Sequence, residues 1–369
     1  MQARSFSIFA VASTLLLVAG AWLLAWWLEP LYGDLTRLGG YPERDFGWNQ
    51  VIDEFDPPIT SFGEWTRPVD ILVIGDSFAN LRPQQQWQNL LAVRTGWRIH
   101  TLDVHHVDVD QLVRSPIYVA NPPKVVIWNV VERDLVDEFK REPTECPKAV
   151  ITPPVGLVTP APLSSRSVAI MRPRSWSSVN PGFVRTWIYH QVWRFASGAD
   201  SGGTLRLQLA SKDLLSSRIS DQLLVYENDQ RKGAWKPADL ERVRCALAAL
   251  ALKFQANGLT AFVTALAPDK SSAYRPWLRE PEKIAESRLP DLLERFPVPD
   301  ARLDAAVRKS VSVGIRDVYM PDDTHWGGAG QALAAEAIME LLVRLRTIVA
   351  DGERLSGVQG IPVGAAARK

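Results

Sequence analysis

The chain has 369 residues, 46% of them apolar and 22% charged, with a formal net charge of +1. That length buries a sizeable core, as one large domain or two small ones. The near-neutral balance carries no footprint of a nucleic-acid binder, and two cysteines with neither a CxxC nor a His/Cys cluster offer no metal site.

No charged residue occurs from Ser5 to Leu28, and roughly 20 apolar residues suffice for a helix to cross a bilayer core. Trp26 and Trp27 near its end suit the headgroup interface. Arg4 before the run, and Glu29 and Asp34 after it, favour an N-terminus inside and a body outside. Residues 1–30 are expected to anchor the chain in the inner (cytoplasmic) membrane by a single pass. A cleaved signal peptide is the rival, with small residues at Ala19 and Ala21, but the run exceeds the about 7–15 apolar residues typical of such a signal. In an exported body Cys146 and Cys245 can pair, although Cys245 sits in an apolar helical pattern that also suits a buried thiol.

Residues 31–66 read as a connector without period. Val69 to Ile74 is a continuous apolar run, as in a strand buried on both faces. A helix over Gln84–Arg94, a strand over Arg98–Val104, a helix over Val109–Ala120 and a strand over Lys124–Trp128 follow. Residues from about 140 to 235 break this alternation and read as an insertion or cap. Arg166, Arg172, Arg174 and Arg185 there would supply a basic groove for an anionic acceptor. Then come an amphipathic helix over Leu240–Gln255, a strand over Leu259–Leu266, and helices over Glu282–Phe296 and Ala301–Val311. A short strand over Val318–Met320, a closing helix over Gly330–Thr347 and a loose tail over 350–369 complete the chain. The pattern predicts an α/β fold over residues 67–349, an open parallel sheet with helices on both faces.

Two short motifs carry chemistry. Ile71-Leu72-Val73-Ile74-Gly75-Asp76-Ser77-Phe78 is a strand ending in a turn with a serine, and Asp322-Asp323-Thr324-His325-Trp326 sets acids two and three residues before a histidine. A serine hydroxyl is a weak nucleophile and needs a base, itself oriented by a third group. Both motifs would lie at the carboxyl ends of strands, which makes Ser77 the candidate nucleophile and His325 its base. Asp323 or Asp322 would orient the ring. His105 and His106 stand in the same relation to Asp103, in the loop after the second strand, where they are expected to line the pocket.

Gly75-Asp76-Ser77-Phe78, the run from Pro122 through Trp128-Asn129 to Glu132-Arg133-Asp134-Leu135, Ala267-Pro268-Asp269-Lys270 with Tyr274, and Asp323-Thr324-His325-Trp326 together resemble the SGNH/GDSL hydrolase superfamily. Within it they are similar to the alginate O-acetyltransferase family of SGNH-like proteins, of the AlgX and AlgJ type. The resemblance implies a flavodoxin-like sheet, an acetyl-serine intermediate and acetylation of an exported polysaccharide. The acid two residues before the histidine in that family points to Asp323. The superfamily spacing of three would point to Asp322. The chain departs from the alginate enzymes in placing the serine motif first. It also lacks the superfamily's oxyanion Asn and Gly donors. Arg133 stands in the comparable position, for an oxyanion, an acceptor or a salt bridge with Glu132 or Asp134. Asn129, Asp76, Trp326 and His105 complete the candidate oxyanion or substrate-binding set.

Three functions follow as expectations: an O-acetyltransferase, a carbohydrate esterase with the same triad, or a non-catalytic polysaccharide-binding partner. No cofactor is expected. Acetyl-CoA is not expected outside the inner membrane, so a transferase would need a membrane-bound partner to supply acetyl groups, together with a polysaccharide acceptor.

Overall fold

A computed structural model of the chain describes residues 2–140, 146–147, 161–164, 167–170, 179–200 and 202–356. Arg166, Arg172, Arg174 and residues 357–369 of the expected tail therefore lie outside the described residues. Helix α1 (Gln2–Leu28) contains Ser5–Leu28, which is long and apolar enough to cross a membrane and is almost wholly exposed. Two short helices, α2 (Asp34–Gly39) and α3 (Glu43–Phe46), and two short strands, β1 (Ile52–Glu54) and β2 (Ser61–Phe62), follow. The stretch read as a connector is therefore structured, and its elements are too short to print a period on the sequence.

Next come β3 (Ile71–Gly75), α4 (Ser77–Asn80), α5 (Trp87–Thr95), β4 (Ile99–Asp103), α6 (Val109–Arg114), α7 (Pro116–Ala120), β5 (Val125–Asn129) and α8 (Leu135–Glu138). The single helix expected over Val109–Ala120 is two. Ser115 is extended and accepts the Tyr118 N–H, and Pro116 has no N–H with which to continue α6. The described parts of the insertion hold β6 (Val168–Ile170), which pairs with β1, helix α9 (Pro181–Ser197), and an antiparallel pair, β7 (Thr204–Gln208) and β8 (Gln222–Tyr226). A disulfide joins Cys146 to Cys245 on helix α10 (Pro237–Gln255).

Strand β9 (Ala261–Thr264) and helices α11 (Lys270–Tyr274), α12 (Leu289–Leu293), α13 (Leu303–Ser312) and α14 (Gly328–Ser356) close the chain. The helix expected over Glu282–Phe296 shrinks to α12, because Pro290 can begin a helix but not sit inside one. Val318–Met320 does not join the sheet. Tyr319 makes an isolated antiparallel bridge to Trp326 and turns the chain back on itself. Helix α14 runs past Thr347, into the stretch expected as tail.

The sheet has five parallel strands in the order β2-β4-β3-β5-β9. Alternate residues feed two cores. Ile71, Val73, Ile127 and Val263 pack on one side with α5, α13 and α14, whereas Leu72, Ile74, Val126 and Phe262 pack on the other with α10. Both faces are covered, which is why β3 reads as an unbroken apolar run. The chain leaves β3 for β4 on one side and then crosses to β5 on the other. The carboxyl end of β3 is thus the topological switch point, the usual place for a site in an open α/β sheet. Ser77 begins there.

Candidate active site

The turn that presents Ser77 is dictated by its neighbours. Gly75 pairs with Asn129, and a Cβ on it would stand 2.8 Å from the Asn129 carbonyl oxygen and 2.7 Å from the Ala79 methyl. Only glycine lets β3 and β5 close here. Asp76 caps α4. One of its carboxylate oxygens accepts the Phe78 N–H at 2.8 Å and the other the Val131 N–H at 2.7 Å. Asp76 therefore holds the turn and does not face a substrate. The Ser77 N–H has no acceptor among the described residues, which leaves it available to a developing oxyanion.

His325 Nε2 lies 2.8 Å from Ser77 Oγ, and His325 Nδ1 lies 2.6 Å from Asp323 Oδ1. A carboxylate only accepts, so Nδ1 carries the proton and the Nε2 lone pair faces the serine. Oδ1 of Asp323 also accepts the His325 backbone N–H at 3.1 Å, and Oδ2 accepts Arg82 Nη2 at 2.9 Å. Burial pushes the Asp323 carboxyl up, but the hydrogen bond and charge of His325 and the Arg82 guanidinium outweigh it. They hold Asp323 well below the usual carboxylate range. The Phe78 ring lies 4.9 Å from the imidazole and meets Trp326 edge-on at 5.0 Å, so Trp326 supports the wall behind His325.

The Asp-Thr-His turn is itself clamped from two directions. Lys270, buried at the start of α11, donates from Nζ to the carbonyls of Met320 at 2.8 Å, Pro321 at 2.9 Å and Asp323 at 3.1 Å. Burial pushes its ammonium down to about 8, against the pull of Asp322, Asp34 and Asp323. From the other side comes the segment just after α1. Asp34 accepts the Thr324 N–H at 2.9 Å and its hydroxyl at 2.7 Å, and the Leu35 N–H donates to the Asp322 carbonyl at 3.0 Å. Contact is so close that a Cβ on Gly33 would stand 2.0 Å from that carbonyl oxygen. Asp322 turns toward Glu43. Burial, and then the charge and hydrogen bond of Asp322, raise the Glu43 carboxyl well above its usual range. Asp323, not Asp322, is the acid on the ring.

Arg133 lies 5.8 Å from the Phe78 ring, behind the wall of the site, and its ion pairs point away from Ser77. Its Nη1 lies 3.3 Å from Asp269 and 3.6 Å from Asp229, while Lys232 Nζ donates to Asp269 at 2.7 Å and stands 3.6 Å from Glu132. Buried carboxylates need buried cations, and this network locks the end of β5 to the segment after β9. Arg133 is thus tied into a structural network, with Asp134 a weaker partner at 3.9 Å. Asn129 is buried, and its Nδ2 donates to the Ala265 carbonyl. His105 stands exposed with Nδ1 4.0 Å from Glu138, and His106 pairs with Asp103 at 3.3 Å. Neither histidine lines the recess at Ser77. Arg185 is exposed on α9.

That recess is lined by Ile52, Phe78, Leu81, Arg82, Gln85, Gln86, Met320, His325, Trp326 and Gln331. Through Ile52, Gln85 and Gln331 it adjoins a cleft of about 270 Å³ that also holds Trp48, Asp53, Arg94 and Arg316. Asp34, Asp323 and His325 offer ligand atoms within 4.8 Å of one another, yet they bond to Thr324, Arg82 and Ser77, as a hydrogen-bonded relay requires. Arg82, Asp34 and the clamp by Lys270 were not read from the sequence. Arg82 and Asp34 sit in no recognisable motif, and the Asp269-Lys270 pair was the sole signal for the third.

Residues 221–358 match the family model described as an SGNH hydrolase-like domain, acetyltransferase AlgX. The resemblance read from the sequence is borne out over that stretch, which holds Asp323 and His325 but not Ser77. It marks an SGNH-like domain of the AlgX type, in an enzyme of the acyltransferase or esterase kind. No curated protein and no solved structure matches the chain.

Proposed function

We propose that the protein is an O-acetyltransferase that acetylates hydroxyls of an exported polysaccharide through an acetyl-serine. The observation that carries this reading is the unbroken line Ser77–His325–Asp323–Arg82 at hydrogen-bond distances. His325 Nε2 takes the Ser77 proton as Oγ attacks the acetyl carbonyl, and the Ser77 N–H donates to the oxyanion. His325 then returns that proton to the leaving group. In the second half a sugar hydroxyl gives its proton to Nε2, attacks the acetyl-serine, and departs as the ester when Oγ recovers the proton. Asp323 stays ionised and stabilises the imidazolium formed twice in each cycle.

A confined recess beside Ser77 suits a small acyl group, and the adjoining cleft with Trp48 suits a sugar ring. The Ser5–Leu28 stretch supports a single-pass anchor in the inner membrane with the body outside, and the disulfide suits an oxidising compartment. A membrane-bound acyl-transfer partner would then supply the acetyl group. The test is intact mass of the protein after incubation with an activated acetyl ester, beside Ser77→Ala and with a panel of glycan oligomers. Wild type alone should gain one acetyl group, and one glycan class should discharge it with acetylated product. Discharge to free acetate alone would make the enzyme an esterase, and no adduct would leave a binding role.

A further inference from the structure

Helix α9 buries one face and leaves the other bare. Phe183 and Val184 cluster with Ala25 and Leu28 of α1, and Trp187 meets Trp27 edge-on with ring centroids 6.5 Å apart. Farther along, His190 is buried, and Arg194 donates to the carbonyls of Gly39 and Gly40 and covers the Tyr41 ring. The opposite face carries Ile188, Tyr189, Val192 and Trp193 at 46–61% exposure, and Phe195 stands at 94%. Positions 188, 189, 192 and 193 recur at helical steps, so they form one continuous stripe. No acid and no lysine occurs in α9, and its exposed cation is Arg185.

We propose that this face of α9 lies in the headgroup–acyl boundary of the bilayer that α1 crosses, as a second, interfacial membrane contact. This rests on the reading of α1 as a membrane span. Packing against Ala25 and Leu28 sets α9 at the level where the Ser5–Leu28 stretch ends. Tyr and Trp favour that level, and an arginine beside them suits anionic headgroups. A stripe of this size is more than a soluble surface ordinarily exposes, and its continuity with the span names the bilayer as what covers it. The contact also bears on the site. Arg194 grips Gly39 and Gly40 at the end of α2, whose first residue Asp34 holds Thr324, so docking α9 sets the height of the His325 turn above the membrane.

The test uses the full chain in phosphatidylethanolamine–phosphatidylglycerol vesicles, with an environment-sensitive fluorophore on V192C, L17C or V313C in separate proteins. Lipids carry a quencher either near the headgroup or near the chain end. The label at 192 should be quenched, and more by the shallow quencher than the deep one. The label at 17 should show the reverse order, and the label at 313 should be quenched by neither. Y189C repeats the reading at a neighbouring position. Quenching at 17 with 192 behaving like 313 would overturn the α9 contact and leave the span standing. Shielding of 192 only by an added protein partner would overturn it too. Absence of quenching at 17 would remove the span and the α9 contact together.

Discussion

Replacing Asp323 by asparagine removes one charge at nearly constant shape, and the neighbours decide what the amide can do. Oδ1 receives two N–H groups of His325, at 3.1 Å and 2.6 Å, and Oδ2 receives Arg82 at 2.9 Å. An amide has one acceptor oxygen, so its NH2 must confront either His325 or Arg82, donor against donor. Facing His325, it drives the ring to the tautomer with its proton on Nε2, which cannot take the Ser77 proton. Facing Arg82, it keeps the tautomer but leaves the imidazolium without a counter-charge. In the serine–histidine–aspartate template this change lowers kcat by about 10⁴. At about 1.4 kcal/mol per decade, that is roughly 5 kcal/mol of transition-state stabilisation. The assay is the single-turnover rate of Ser77 acetylation by a chromogenic acetyl ester, with an unfolding curve to show that the variant is folded. Adding Arg82→Met to Asp323→Asn should recover roughly tenfold, about 1.4 kcal/mol, because the amide NH2 then meets no guanidinium. A rate for Asp323→Asn within about tenfold of wild type would refute Asp323 as the group that orients His325. A large loss in Asp322→Asn instead would move the role there.

Asp34→Ala removes the acceptor of two Thr324 donors and should lower stability by about 1–3 kcal/mol. It should reduce kcat more than it raises KM, with Asp34→Asn milder in both. Unchanged kcat together with unchanged stability would count against the clamp. Lys270→Met strands three carbonyl oxygens in the interior and should cost about 3–5 kcal/mol in a denaturant titration. Burial raises the Asp300 carboxyl from 3.8 to about 6, against hydrogen bonds from Thr264, Arg302 and Leu266. The folded chain holds that proton more tightly than the unfolded one. The resulting stability is full below about pH 4 and is lost as pH rises through about 6. Urea unfolding at pH 4 and pH 7 should therefore shift the gap between wild type and Asp300→Asn by about 2 kcal/mol in favour of the variant. A constant gap would show that the carboxyl is not raised.

The sheet was legible where residues are buried on both faces. Val69–Ile74 and Lys124–Trp128 announce β3 and β5 because a doubly covered strand has no polar side to interrupt its run. Helices were legible where no proline intervenes, as over Leu240–Gln255, and misread where Pro116 or Pro290 resets the backbone. Ser77, Asp323 and His325 stood out because their chemistry needs those residue types in strand-end turns. The residues that hold them did not stand out. Asp34 lies 290 residues from Thr324, Arg82 lies 241 from Asp323, and Lys270 lies 53 from Asp323. The partners of Arg133 were hidden for the same reason: a salt bridge was one of its readings, but Asp269 and Asp229 meet it only across the fold.

Local order therefore determines which groups can react: an apolar run sets a strand, a Gly-Asp-Ser turn ends it, and an acid two residues before a histidine can reach its ring. Such features depend on backbone geometry over a few residues, and a linear reading captures them. Which groups orient, charge and clamp the reacting ones was decided by packing. Burial makes every carboxylate and carbonyl at the site require a partner, and the partner that satisfies it is whichever segment the sheet brings alongside. Here that segment leads directly out of the apolar helix α1, so the site is finished by residues that follow the stretch long and apolar enough to cross a membrane.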